Sequence, residues 1–489
     1  MLYYHFRRVD STRSPVCGLA MLNPGWRYEV KMEWASCKFP PGSFYPNYDY
    51  TLRLDPSAPS CVALADPDGL FREGYYGTEW YGESYFPALD ARATISVYKF
   101  TVEEIKFNHD QTSCSTDAVS IRRNARQAFD ATHGEWWTGG THLKNDPVCY
   151  AGGAVPTVKA RIKVSPSLNS ARLSAQTVET GSPLGGLGMQ TVAFSDGVSD
   201  WTEFSMDSSI GRAVRKFDHR WEWKVTQMDG AAVTAFACTT TGPHRVYTLL
   251  ADPKPPWNPN GTGNQNLWTN ALEFCNVILE GKNDPQEAMA AITSNLFHNM
   301  GFRYDTEKAA SHYWYEGGFE LTKYMAHLDE RVNCFDQAYG VATLAGLVGI
   351  KVQVIEAIPF GYINTTNLVG VGLCNNPAYN MTDRIESWKG EVDDQGDLVA
   401  KPMTNVVLQA QVCPVDETQR SFFESHAFAG VFDGRIFDAC IGPVLGTTLI
   451  NDYMRSLIDY STENERKVSR YGDGVRIMDK KAGNNYTLK

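Results

Sequence analysis

Arg331-Val-Asn-Cys-Phe-Asp-Gln-Ala338, read on through Val341, Ala342, Leu344, Ala345 and Val348 to Gly349, decides how this chain is read. Asn333 has the side chain of a good N-cap, and small and apolar residues follow it at helical spacing. Gly349 suits the left-handed residue that ends a helix, and Lys351-Val-Gln-Val-Ile355 then reads as a strand. Gly340 and Gly346 each cost such a helix about 1 kcal/mol relative to alanine, so their presence predicts close packing against a neighbour. Cys334 falls in the first turn of this buried helix, whose positive end favours a thiolate. The same position also suits an inert, buried cysteine.

A thiol nucleophile needs a base. His426 is the only histidine that follows Cys334, and it opens His426-Ala-Phe-Ala-Gly-Val-Phe432, which reads as a strand. Asp433-Gly434 makes a turn and Arg435-Ile-Phe-Asp-Ala439 a return strand, so Asp438 is placed to orient the imidazole. Register tests the idea. A two-residue turn pairs Asp438 with Ala429 and puts it on the face opposite His426. A three-residue loop, with Gly434 in the left-handed region as a bulge, pairs Val431 with Arg435 and Asp438 with Phe428. His426 and Asp438 are then diagonal neighbours on one face. The bulged hairpin is the prediction. Upstream, His327 is a rival base, while His298 and His312 read as structural histidines.

The order Cys, His, Asp on helix, strand and adjacent strand resembles the transglutaminase-like branch of the papain-type thiol enzymes. The matching residues are Asn333 to Ala338 with Leu-Val-Gly-Ile350, then His426-Ala427-Phe428, then Phe437-Asp438-Ala439, within roughly residues 265–450. The resemblance implies an α+β domain whose nucleophile helix packs on an antiparallel sheet carrying His426 and Asp438. It implies acyl transfer from an amide, with Cys334, His426 and Asp438 as triad. Crosslinking members of the family have an upstream tryptophan to steady the oxyanion. Trp314 lies closer to the cysteine than that pattern expects, Gln265 is a second candidate, and the backbone N–H of Cys334 is a third. No calcium signature accompanies the domain, and the acidic loop Glu391 to Asp397 reads as a solvated turn.

Outward from this region the pattern is β. In residues 94–250, Val158, Ala160, Ile162 and Val164 alternate with charged residues, as do Trp221, Trp223 and Val225. Period two with a wet face predicts an Ig-like β-sandwich of two sheets. Residues 1–93 are rich in Gly, Pro, Tyr and Asp and predict a small aromatic β domain. Its stretch Phe71–Phe86 is either the facing of a sheet or a platform for sugar or peptide. Residues 251–266 read as a linker and 267–489 as the thiol domain, in which Asp284-Pro285-Gln286-Glu287 starts a helix. Phe107 to Asp110, Asp117 to Asn124, His244 to Tyr247 and Pro255-Pro-Trp257 look like the front half of uncharacterised bacterial proteins that end in such a domain. His109 beside Asp110 reads as a polar strand end.

Composition narrows the function. The 489 residues carry 45 Lys+Arg against 56 Asp+Glu, a net charge of −11, which argues against nucleic acid as partner. No apolar run approaches the ~18 residues of a spanning helix, and the N-terminus has no apolar signal core. Location is therefore open between export and cytoplasm. The 11 cysteines include no C-x-x-C pair. No cofactor or metal is expected; the expected partner is a protein or peptide substrate. The first reading is hydrolysis of an amide, with glutamine deamidation or crosslinking second. The rival is a binding or assembly protein that keeps the fold as an inactive scaffold.

Overall fold

The computed structural model describes residues 98–107, 118–139, 143–182, 184–257, 266–315, 318–358, 363–375, 425–431, 433–457 and 487–489. It also gives the backbone of strands 2–8, 16–17, 27–34, 91–96, 387–392, 398–403 and 476–479. The chain is strand-rich, with a large sheet in its front half. The aromatic stretch Phe71–Phe86, the pair His109 and Asp110, and the acidic residues 393–397 lie outside the described residues.

Near the N-terminus a four-stranded antiparallel sheet runs in the order Val16–Cys17, Leu2–Arg8, Arg27–Trp34, Ala91–Ser96. Its last strand crosses position 93, where the composition of the sequence suggested a boundary.

An eleven-stranded sheet follows. The alternation at Val158, Ala160, Ile162 and Val164 is real, and each of these is buried beside exposed or half-buried neighbours. Trp221, Trp223 and Val225 are fully buried in the strand Arg215–Met228. The expectation of two separate sheets needs correction, because the hydrogen-bonded path is continuous. The two-residue strand Val198–Ser199 pairs with both Thr157–Ser165 and Leu187–Ser195 and joins what would otherwise be two layers. Three register shifts between Arg215–Met228 and Ala231–Leu249 add twist. The sheet folds over itself, and its inner face meets across the fold: Phe107 stacks on Trp221 at 5.8 Å and Phe204 meets Trp223 edge-on at 5.1 Å.

Behind the sheet come helices α1 (Thr269–Leu279), α2 (Pro285–His298), α3 (Leu321–Met325), α4 (Cys334–Leu347) and α5 (Ile450–Leu457). α2 starts as expected: Asp284 Oδ1 accepts from Glu287 N at 2.8 Å, and Pro285 takes the first turn. The Glu287 carboxylate does not reach back; it pairs with Lys282 at 3.3 Å. Ala288, Met289, Ile292, Leu296 and Phe297 form the buried face. α4 packs on a five-stranded antiparallel sheet in the order Val444–Leu449, Arg435–Asp438, His426–Gly430, Gln353–Ile358, Arg476–Asp479. The strand after α4 begins two residues later than the sequence suggested.

Residues 251–257 are not a free linker. Lys254 N donates to Gly346 O at 2.8 Å, and the buried Trp257 donates from Nε1 to Thr343 O at 2.8 Å. A Cβ on Gly346 would lie 2.8 Å from Lys254 O, and one on Gly340 would lie 2.6 Å from the Tyr324 hydroxyl. These are the close contacts the two helical glycines predicted. One hydrophobic core therefore runs from Cys149, Tyr247 and Leu249 through Trp257 and Trp268 to Leu344 and Leu347 of α4.

Candidate active site

Cys334 is the first residue of α4 and is 3% exposed. Asn333 caps the helix: its side chain accepts from Asp336 N at 3.1 Å, while Asp336 Oδ2 accepts from Asn333 N at 3.1 Å. This reciprocal box fixes the turn that carries the thiol. It leaves the N–H of Cys334 outside the box, in the first turn where backbone donors point along the axis.

Asp336 does more than cap. It is fully buried and also accepts from Ser311 Oγ at 2.5 Å and from the backbone N–H groups of His312, Tyr313 and Trp314, each at 2.9 Å. Burial pushes its carboxyl upward, and these donors oppose the push. The loop 311–314 is thereby tied to the turn that holds Cys334. Trp314, an oxyanion candidate from the sequence, stacks flat on Tyr339 of α4, with ring centroids 3.6 Å apart. Gln265 lies outside the described residues.

The hairpin has the bulged register. Ala429 pairs with Phe437 and Gly430 with Ile436, Val431 N donates to Arg435 O at 3.1 Å, and Gly434 has φ of +82°. His426 and Asp438 consequently share a face, and His426 Nε2 lies 2.7 Å from Asp438 Oδ2. Both are buried, at 0% and 1% exposure. Asp438 Oδ1 accepts from Cys440 N at 2.6 Å and Ile441 N at 3.0 Å. Burial lowers the imidazole pKa, but the Asp438 charge and hydrogen bond, joined by the nearby Cys334 side chain, raise it to about 9. With Nε2 engaged by Asp438, Nδ1 is the nitrogen left to meet the thiol. His426 and Asp438 are thus in direct contact, and Cys334 lies near enough to act on the charge of the imidazole.

The other histidines are placed elsewhere. His327 sits at φ +50° after α3 with its ring edge-on to Phe302 at 5.0 Å. His312 is clamped between Asp305 and Asp329, 3.1 Å from each. His298 is exposed beside Phe297.

Reasoning from sequence missed two residues. Asp336 carried a signal, since Asn-x-x-Asp is a capping-box pattern. Tyr453 of α5 carried none. Its hydroxyl donates to Asp438 Oδ2 and lies 3.1 Å from His426 Nε2. Burial first, then Asp438, raises the phenol pKa well above its ordinary range.

No family model matches the chain, and no curated protein matches it. Among solved structures it is similar to a red sea bream transglutaminase. The identity is 12% and the TM-score 0.32, over 61% of this chain and 51% of that one. That is a distant likeness. This chain spans about half the length of that enzyme.

Among the described residues, no group of three or more His, Cys, Asp or Glu stands ready to hold a metal, and no helix is long and apolar enough to cross a membrane. A cleft of about 340 Å³ opens between the large sheet and α1, lined by residues including Asp218, Arg245, Tyr247 and Glu273. Its charges are already paired: Arg245 with Asp218 at 2.5 Å, and Lys216 with Glu273 at 2.5 Å.

Proposed function

We propose that the chain is a thiol-dependent acyl-transfer enzyme acting on protein or peptide amides. Cys334 is the nucleophile, His426 its proton partner and Asp438 the group that orients and charges the imidazole. The observation that carries the reading is the buried pair of His426 and Asp438 at 2.7 Å, set against a helix-first cysteine whose side chain bears on the charge of the imidazole. The thiol gives its proton to Nδ1, and the thiolate attacks the amide carbonyl. The oxyanion is met by the Cys334 N–H, with Trp314 and Gln265 as further proposed donors. The imidazolium protonates the leaving amine, and water cleaves the thioester. Glutamine deamidation or crosslinking, in which the thioester passes to another amine, is the second variant of the same chemistry.

In this reading residues 1–93 and 94–250 are β domains that present the substrate, and residues 267–489 form the transglutaminase-like domain.

One observation favours a second reading. All three side chains are almost wholly buried, and a covered thiol suits a scaffold that binds rather than reacts.

Alkylation of the native chain across pH, with labels located by mass spectrometry, separates the two. Labelling at Cys334 that persists well below pH ~8.5 and disappears in His426→Ala is expected of the enzyme. The other described cysteines are buried, and burial raises Cys149, Cys275 and Cys440 well above their usual value, so they supply a slow background. Labelling of Cys334 that is slow and indifferent to His426 would establish the scaffold.

A further inference from the structure

We propose that Tyr453 is a positioning residue of this site, sharing Asp438 with His426 and thereby limiting how tightly the carboxylate holds the imidazolium. The inference rests on the thiol-enzyme reading.

Asp438 is surrounded by four donors. Oδ1 takes the Cys440 and Ile441 N–H groups, which fix the plane of the carboxylate. Oδ2, the oxygen turned to the imidazole, takes both His426 Nε2 and the Tyr453 hydroxyl. A phenol has one proton to give, and an anionic oxygen is a better acceptor than a ring nitrogen that is itself donating. Tyr453 and His426 therefore compete for one oxygen. The phenol oxygen stands 3.1 Å from Nε2, so the two donors crowd the same carboxylate oxygen.

The tyrosine is held for this task. Ile450 N donates to Gly434 O at 3.0 Å, so α5 starts from the same loop that sets the hairpin register. The Tyr453 ring then meets Phe428 edge-on at 5.1 Å, and Phe428 lies between His426 and Ala429 on the central strand. Among the described residues, the titratable groups around the imidazole are Cys334 from α4, Asp438 and Cys440 from the strand end, and Tyr453 from α5. Tyr304 stands beside Cys334.

The chemical consequence is a compromise. A carboxylate bound to the imidazole alone would hold the imidazolium strongly and slow delivery of its proton to a leaving amine. A second donor on Oδ2 draws off part of that charge. Removing the hydroxyl should shift the titration of His426 upward by about half a unit to one unit, the span of one hydrogen bond at 1.36 kcal/mol per pKa unit.

The test is titration of ¹⁵N-histidine-labelled full-length chain by NMR, with the His426 resonance assigned by its loss in His426→Gln. Tyr453→Phe should raise the His426 midpoint. Replacing Tyr453 with 3-fluorotyrosine, a stronger donor of nearly the same size, should lower it, and this arm remains readable if the phenylalanine variant folds poorly. A midpoint unmoved by both changes, or lowered in Tyr453→Phe, overturns the inference. Failure of the enzyme reading is seen separately, as Cys334 alkylation in the wild-type chain that ignores His426→Ala.

Discussion

Cys334 and Cys440 are two buried thiols at one cluster, and their surroundings set them apart. Cys440 follows Asp438 by two residues, and burial together with that negative charge keeps its proton in place. Cys334 opens a helix, and its side chain acts on the charge of the imidazole. The difference depends on Asp438. In Asp438→Asn the burial that lowers the His426 pKa stays while the charge that raises it is lost, so the midpoint should fall below about 9 by more than two units. Alkylation of Cys334 near neutrality should then drop at least about tenfold. The same shift has a stability side. A histidine raised in the folded state contributes stability that is fully present below the unfolded value near 6.5 and is lost as pH rises through about 9. Melting temperature followed from pH 6 to 10 should decline in the wild-type chain and flatten in Asp438→Asn. The pairing of His426 with Asp438 was legible in the sequence because residue order and hairpin register restrict the choice. Tyr453 was not, because its contact is made by a helix swinging back over the sheet, and no local spacing encodes that.

At the scale of elements, α4 is held from two sides. Gly346 faces backbone that cannot retreat, and a Cβ added there would lie 2.8 and 2.9 Å from Lys254 O and Pro255 O. Alanine gains about 1 kcal/mol of helix propensity there but forces the packed segment away. Gly346→Ala is expected to destabilise the chain by about 1–3 kcal/mol net, read from denaturant midpoints. Asp336 is the second hold. Asparagine keeps its shape but offers one acceptor oxygen where the carboxylate used two, so Asp336→Asn should cost about 2–4 kcal/mol and loosen the Trp314 loop. Loss of hydrogen-exchange protection at residues 311–314 is the direct readout. The helix, its cap and its glycine contacts were readable because capping and close approach leave local marks. The later start of the strand after α4 was not, since strand ends depend on which partner residues remain available, here Gly430 opposite Gln353.

The whole molecule responds to pH from both ends. His219 and His244 face each other across two strands of the large sheet, within 4.7 and 5.2 Å of the Trp221 ring. Burial lowers them to about 4 and about 3. A depressed histidine contributes stability present above the unfolded value near 6.5 and lost as pH falls through the folded value. Acid should therefore loosen the large sheet first, while base weakens the five-stranded sheet through His426. Tryptophan fluorescence, to which Trp136, Trp221 and Trp223 of that core contribute, should change between pH 6 and 3, and His244→Phe should shift the change to lower pH. The single folded-over path of this sheet was hidden from the sequence because its joint, Val198–Ser199, is two residues long. The packing of residues 251–257 was hidden because proline- and glycine-rich chain looks alike whether it is tethered or free.

That tethering has a consequence for the way the chain is made. The front half leaves the ribosome first, and domains commonly fold as they emerge. Here the strand Ile121–Arg122 lacks its parallel partner until Leu267–Trp268 is synthesised. Trp257 waits 86 residues from its own synthesis for Thr343, the carbonyl that accepts its indole N–H. Through that interval Trp257 and the face of α1 that carries Cys275 have no α4 to cover them. A nascent chain stalled before α4 is complete should be captured by chaperones that bind exposed apolar surface, and released once Leu347 has cleared the exit tunnel.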